Sequence, residues 1–184
     1  DAVENNTLEQ LKNSNKNLKI CQWFLDPIGE KGPDYVKNND RINQKLKFLN
    51  ATFLTSDTSI LTNKIENSFF IPNPSDHSFE VLKNYEKNCA NDVFFAMSHG
   101  VHRGILKRGK LDIRGNFLKK LTNKLPNIKF DFYGHDKKQP IWADNFIKTI
   151  SQSKIALNLS QGFNAKYYSS DRFAQLIGNG LLVL

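Results

Sequence analysis

From residue 91 to residue 184, short apolar runs alternate with segments of helix length, and this alternation narrows the possible folds more than any other feature. Residues 91–97 read Asn-Asp-Val-Phe-Phe-Ala-Met, and Ile128, Phe130 and Phe132 then alternate with Lys129, Asp131 and Tyr133. Residues 155–159 read Ile-Ala-Leu-Asn-Leu, and residues 181–184 read Leu-Leu-Val-Leu. Between these runs the apolar spacing is helical. Ile113, Phe117, Leu121 and Leu125 recur every fourth residue behind a capping Asp112, with Leu118 alongside. Trp142, Phe146 and Ile150 form a second stripe, and Phe173, Leu176 and Ile177 a third. Strands that alternate with helices imply a parallel sheet with right-handed crossovers. The last helix is expected to be capped by Ser169 or Ser170 and ended by Gly178 and Gly180, with Arg172, Gln175 and Asn179 on a polar face.

The N-terminal part repeats the alternation less clearly. Thr7 and Gln10 have capping-box spacing for a helix carrying Leu8 and Leu11. Residues 18–25 read as a strand ending at Asp26-Pro27, residues 28–40 as a polar loop, and residues around 41–49 as a short helix. A strand at 51–55, a helix at 59–66 capped from residues 56–58, and a strand at 69–71 follow. Pro72-Asn73-Pro74 places two prolines in three residues, which removes backbone donors and marks a domain boundary. Residues 79–87 read as a polar helix. The expectation is an α/β protein of two Rossmann-like parallel-sheet domains, residues 1–72 and 73–184. Because the chain opens inside a helix-like stretch and closes on a strand pattern, both domains are expected to be incomplete.

The 184 residues, 39% hydrophobic, suffice for a packed core. No apolar run approaches the ~20 residues needed to span a bilayer, and the N-terminal residues lack a basic start and apolar stretch, so a soluble, cytoplasmic protein is expected. The formal charge of +8 suits nucleic acid, an anionic membrane surface or a small polyanion. Its lysines are dispersed and no nucleic-acid motif accompanies them, so nucleic acid is not expected as a partner. Cys21 and Cys89, with no CxxC, read as reduced thiols.

Binding chemistry gathers where strands end. Residues 98–110 combine Gly100, Gly104 and Gly109 with His99, His102, Arg103, Lys107, Arg108 and Lys110 directly after a strand, a composition suited to a diphosphate. A solvated basic loop is the competing reading. Gly134 and His135 follow the next strand, Ser160 the one after, and Ser169, Ser170 and Arg172 the start of the last helix, whose N-terminus suits a phosphate or sugar. The alternative for that helix is an ordinary solvated polar face. Asp26 stands at a strand end and is a candidate base, although an Asp before Pro more often forms a turn.

Two α/β units with a Pro-rich joint resemble the C-terminal half of a GT-B glycosyltransferase over residues 70–184. More narrowly, Phe132-Tyr133-Gly134, then residues 155–160, then Arg172-Phe173-Ala174-Gln175 leading to Gly180 resemble the CgeB-like, family 1-type glycosyltransferase domain. The resemblance implies a hexosyltransferase-like enzyme with no cofactor beyond its nucleotide-sugar donor, which the C-terminal domain holds. The acceptor is a glycan, lipid or protein hydroxyl, and a membrane-peripheral location is compatible with it. Arg103 and Lys107 then correspond to diphosphate contacts, Gly134 and His135 lie near the base, and Ser160, Ser169, Ser170 and Arg172 lie near phosphates or sugar. Gln175 stands where the family usually has an acid that binds the ribose hydroxyls. No Asp-x-Asp motif or ligand cluster is present, so metal-independent transfer is expected, with Asp26 or His99 as catalytic base. The alternative is a non-catalytic nucleotide- or polyanion-binding α/β module.

Overall fold

A computed structural model describes residues 3–30, 32, 34–61, 65–98, 112–159 and 165–184. The elements run α1 (Asn5–Ser14), β1 (Cys21–Phe24), α2 (Tyr35–Asn43), β2 (Ala51–Leu54), β3 (Ser68–Phe70), β4 (Asn91–Ala96) and α3 (Ile113–Lys124). They continue β5 (Phe130–Tyr133), α4 (Ala143–Ile150), β6 (Ser153–Ala156), α5 (Asp171–Gly178) and β7 (Leu182–Val183). The chain divides into two compact units: Asp1–Asn73 with Phe163–Ser170, and Pro74–Gly162 with Asp171–Leu184. The fold is α/β with two all-parallel sheets, ordered β1-β2-β3 and β5-β4-β6-β7.

In the first unit, Phe24 and Leu54 are in register and face a core of Ile28, Ile42, Leu54 and Leu61, which α2 supplies through Ile42. On the other face Trp23, Phe53 and Phe69 form a cross-strand row, with the Phe53 and Phe69 rings 5.8 Å apart. The segment ahead of α5 is fixed to this unit. Lys166 Nζ lies 2.7 Å from Asp57 Oδ2, Asp57 N donates to Lys166 O at 2.9 Å, and Asn73 Nδ2 donates to Ser169 O at 2.7 Å. The hydrogen bond from Lys166, followed by the one from Ser59 N, lowers the Asp57 pKa to about 2 from its ordinary 3.8. A depressed carboxylate stabilises the fold above its unfolded pKa and loses that contribution as the pH falls through the folded value. Asp57→Asn should therefore lower the thermal midpoint at pH 7. Melts at stepped pH should show the gap to wild type closing between about pH 4 and pH 2.

In the second unit β4 is buried on both faces, as the centre of a parallel sheet must be, with Val93 8%, Phe94 1%, Phe95 0% and Ala96 7% exposed. Phe94, Ala96 and Ala156 pack with Ile150 of α4 and Leu176 of α5. Val93, Phe95 and Met97 pack with Leu118 of α3 on the opposite face. The sheet is thus covered on one side by α3 and on the other by α4 and α5, and its connections reverse direction between β4 and β6.

Several expected elements change. The helix at 5–14 starts from Glu4 and not from a Thr7 cap. Residues 35–40 are helical where a loop was expected, and α2 runs on to Asn43, into the short helix expected around 41–49, whose later part holds a 3-10 turn, Leu46–Phe48. Asp57 does cap, accepting from Ser59 N, but a 3-10 turn at Thr58–Ile60 replaces the start of the expected helix. Residues 79–87 contain only the 3-10 turn Asn84–Glu86. Lys83 is left-handed (φ 50°) there, and Asn84 Nδ2 is committed to Ile150 O and Ser153 O. The strand expected at 155–159 is β6, two residues earlier.

In α3 the expected stripe is largely outside, with Ile113 64%, Phe117 46% and Leu125 44% exposed. Its buried line is Arg114 and Leu118, with Leu121 packed beside them. Trp142 precedes α4 and is exposed. Ile177 and Gln175 of α5 are exposed, whereas Asn179 is buried.

Candidate functional site

Open parallel sheets bind ligands beyond the carboxyl ends of their strands, at the point where the connections reverse direction. In the second unit that point lies between β4 and β6. The strands pair there up to Leu157, whose N–H donates to Phe94 O at 2.9 Å. The helix after β4, α3, covers one face of the sheet, and the helix after β6, α5, covers the other.

Arg172, in the first turn of α5, occupies this divergence. Its Nη1 donates to Ala96 O at 2.6 Å. Nε and Nη2 both donate to Asn158 Oδ1, at 3.3 and 3.0 Å, and Nη2 also donates to Leu159 O at 3.4 Å. The guanidinium lies 5.5 Å from the centre of the Phe95 ring. Helical geometry explains how it gets there. Arg172, Leu176 and Asn179 follow one another at i, i+4 and i+7, so one line of the helix faces the sheet and its N-terminal member reaches the strand ends. The guanidinium brings a positive charge to the crevice.

The same edge continues at β5. Gly134 has φ 70°, a left-handed conformation that glycine adopts without strain. The turn carries His135 onto the first turn of α3, where a Cβ added to Gly115 would lie 3.6 Å from the imidazole Cε1 and Nδ1. Burial lowers the His135 pKa below 6.5, with Lys119 acting in the same direction and Asp136 and Asp112 opposing. A neutral imidazole offers one donor and one acceptor, which suits the edge of a nucleobase better than a phosphate. Its NMR titration should show an inflection below 6.5, and one above that value would contradict the placement against α3.

The N-terminus of α3 is held by a local ion pair. Asp112 accepts from Arg114 N at 3.1 Å and Nε at 2.9 Å through Oδ1, and from Nη2 at 2.6 Å through Oδ2. Both side chains are almost fully enclosed, at 6% and 3% exposure for Arg114 and Asp112.

Of the residues expected from sequence, Gly134, His135, Arg172 and Gln175 lie in the second unit. Arg172 enters the crevice, and Gln175 is exposed on α5. Ser169 and Ser170 belong to the segment grouped with the first unit, and α5 begins one residue after Ser170. Asp26 lies in the first unit, exposed just beyond β1. His99, Arg103, Lys107 and Ser160 lie outside the described residues. Sequence reasoning gave Asn158 no role of its own. Its signal was an amide in an otherwise apolar strand end, in register to meet an arginine. Among the described residues no group of three or more His, Cys, Asp or Glu side chains could hold a metal ion. No described helix is long and apolar enough to cross a membrane.

Residues 114–184 match the family model described as glycosyl transferase-like. The match covers less than half of the chain and runs from α3 through β7, including Asn158 and Arg172. This stretch is thus similar to glycosyl transferase-like domains. No curated protein matches the chain.

Proposed function

We propose that the protein transfers a sugar from a nucleotide-sugar donor to a hydroxyl acceptor, without a metal ion, and that the second unit holds the donor. The observation that carries this reading is the position of Arg172 at the reversal point of a parallel sheet, inside the stretch that matches the glycosyl transferase-like model. Departure of a nucleoside diphosphate develops negative charge on its phosphates. Fixed cations and helix N-terminal N–H groups stabilise such charge in place and can do so without a divalent ion. Arg172 and the N-terminus of α5 lie at the crevice, while Arg103 and Lys107 are further candidates by position in sequence. In the same reading His135, at the end of β5 with its pKa lowered by burial, meets the base. In this reading the first unit serves the acceptor side, and Asp26 or His99 removes the acceptor proton. The hexosyl class of the donor and a cytoplasmic location belong to the same proposal.

A second reading, a non-catalytic nucleotide- or polyanion-binding module, draws on Gln175. An amide accepts hydrogen bonds from a ribose less strongly than the acid expected there by resemblance. A panel of UDP-, GDP- and dTDP-sugars given to the full-length protein separates the two. Release of nucleoside diphosphate, undiminished by a chelator, is expected from the enzyme. Binding with no release under any donor would favour the module.

A further inference from the structure

We infer that Arg172 and Asn158 form one positioning pair, which sets the width of the crevice between the ends of β4 and β6 rather than gripping the phosphates directly. The inference rests on the donor-site reading above and assigns its parts. The last described hydrogen bond between the two strands runs from Leu157 N–H to Phe94 O. Main-chain oxygens taken out of water need partners, and Arg172 supplies one to Ala96 and one to Leu159 from the same planar group. Further contacts go to a single atom, Asn158 Oδ1, which accepts from both Nε and Nη2. Asn158 is itself fixed from its other side, since its N–H donates to Leu184 O at 2.8 Å, which ties the end of β6 to the end of β7. One guanidinium thus joins α5, β4 and the exit of β6, and the amide beside it anchors that junction to the edge strand.

This geometry separates a strut from a ligand. A guanidinium with four donations inside the protein has little left with which to form a two-pronged contact to a phosphate, although its charge still acts through space. A lysine at 172 would keep the charge but, as a compact point donor, could not bridge acceptors on two segments. If Arg172 touched phosphate directly, Asn158 would matter little to affinity. In a strut, loss of either partner releases the same junction, so the effects of the two do not add.

The test uses Arg172→Lys, Asn158→Ala and the double variant in the full-length protein. Hydrogen exchange reads the strut without reference to activity. The amides of Met97, Leu157 and Asn158, which donate to Tyr133 O, Phe94 O and Leu184 O, should exchange about tenfold faster in each single variant and no faster in the double. The amides within β4 should be unchanged. Calorimetry with UDP, GDP and dTDP reads the consequence: about tenfold weaker binding in each single variant and the same in the double. Unaltered exchange at these three amides would overturn the pair as a strut. Wild-type affinity in Asn158→Ala beside a loss in Arg172→Lys would overturn it in favour of a direct contact. Faster exchange as predicted, in a protein that binds none of the three nucleotides even as wild type, would uphold the strut and sink the donor reading instead.

Discussion

Asp112→Ala is expected to destabilise the second unit by about 3–5 kcal/mol, the range for stripping one partner from a buried ion pair. The magnitude follows from what remains behind. Arg114 is 6% exposed, and its Nε and Nη2 both donate to the carboxylate that the substitution removes. The helix also loses its cap, since Asp112 Oδ1 accepts from Arg114 N, a contribution of about 1 kcal/mol within that range. Removing both members should be far milder, because the arginine's charge leaves the interior together with its carboxylate. Asp112→Ala combined with Arg114→Leu is expected to recover most of the loss, and urea unfolding followed by circular dichroism compares the two. A double variant as unstable as Asp112→Ala alone would show that the pair is not the cause.

Gly180→Ala should cost about 2–4 kcal/mol, which combines left-handed strain with overpacking. Gly180 has φ 81°, and an added Cβ would lie 2.9 Å from Asn84 N and 2.6 Å from Tyr85 Cδ1. The tyrosine ring can swing aside, but the backbone nitrogen cannot, because Asn84 N donates to Asn179 O at 3.0 Å. The glycine closes α5 in a Schellman arrangement. Gly180 N donates to Ile177 O and Leu181 N to Leu176 O, while Leu176 and Leu181 meet in the core. Damage here should be felt at both ends of α5, since the same helix carries Arg172 to the strand ends. A Gly180→Ala protein with an unchanged urea midpoint would refute the packing of residues 84–85 against this turn.

How far the sequence disclosed this structure depended on whether polarity matched burial. β4 and β5 lie where their apolar residues predicted, and Gly180 ends α5 for the reason its identity suggested. The expected stripe of α3 failed because its inner line is led by an arginine, which the adjacent Asp112 makes tolerable. On α5 the same thing happened: Arg172 and Asn179 face inward with Leu176, whereas Ile177 points out. The first part of helix α2, to residue 40, was read as a loop because Asn38 and Asn39 are poor helix formers, yet both are buried and Asn39 Nδ2 donates back to Tyr35 O at 3.0 Å. For the candidate site, sequence picked out Arg172 as a residue but not its partners. Those partners include a side-chain amide and two main-chain oxygens, and their convergence depends on which strands become neighbours.

The most direct test of a donor site at the end of β4 and β6 is residue-resolved hydrogen exchange on the full-length protein, with and without saturating nucleoside diphosphate. Slower exchange on binding is expected to concentrate at residues 97–98, 157–159 and 171–173. Protection confined to other parts of the chain, with these three stretches unchanged at saturation, would contradict it.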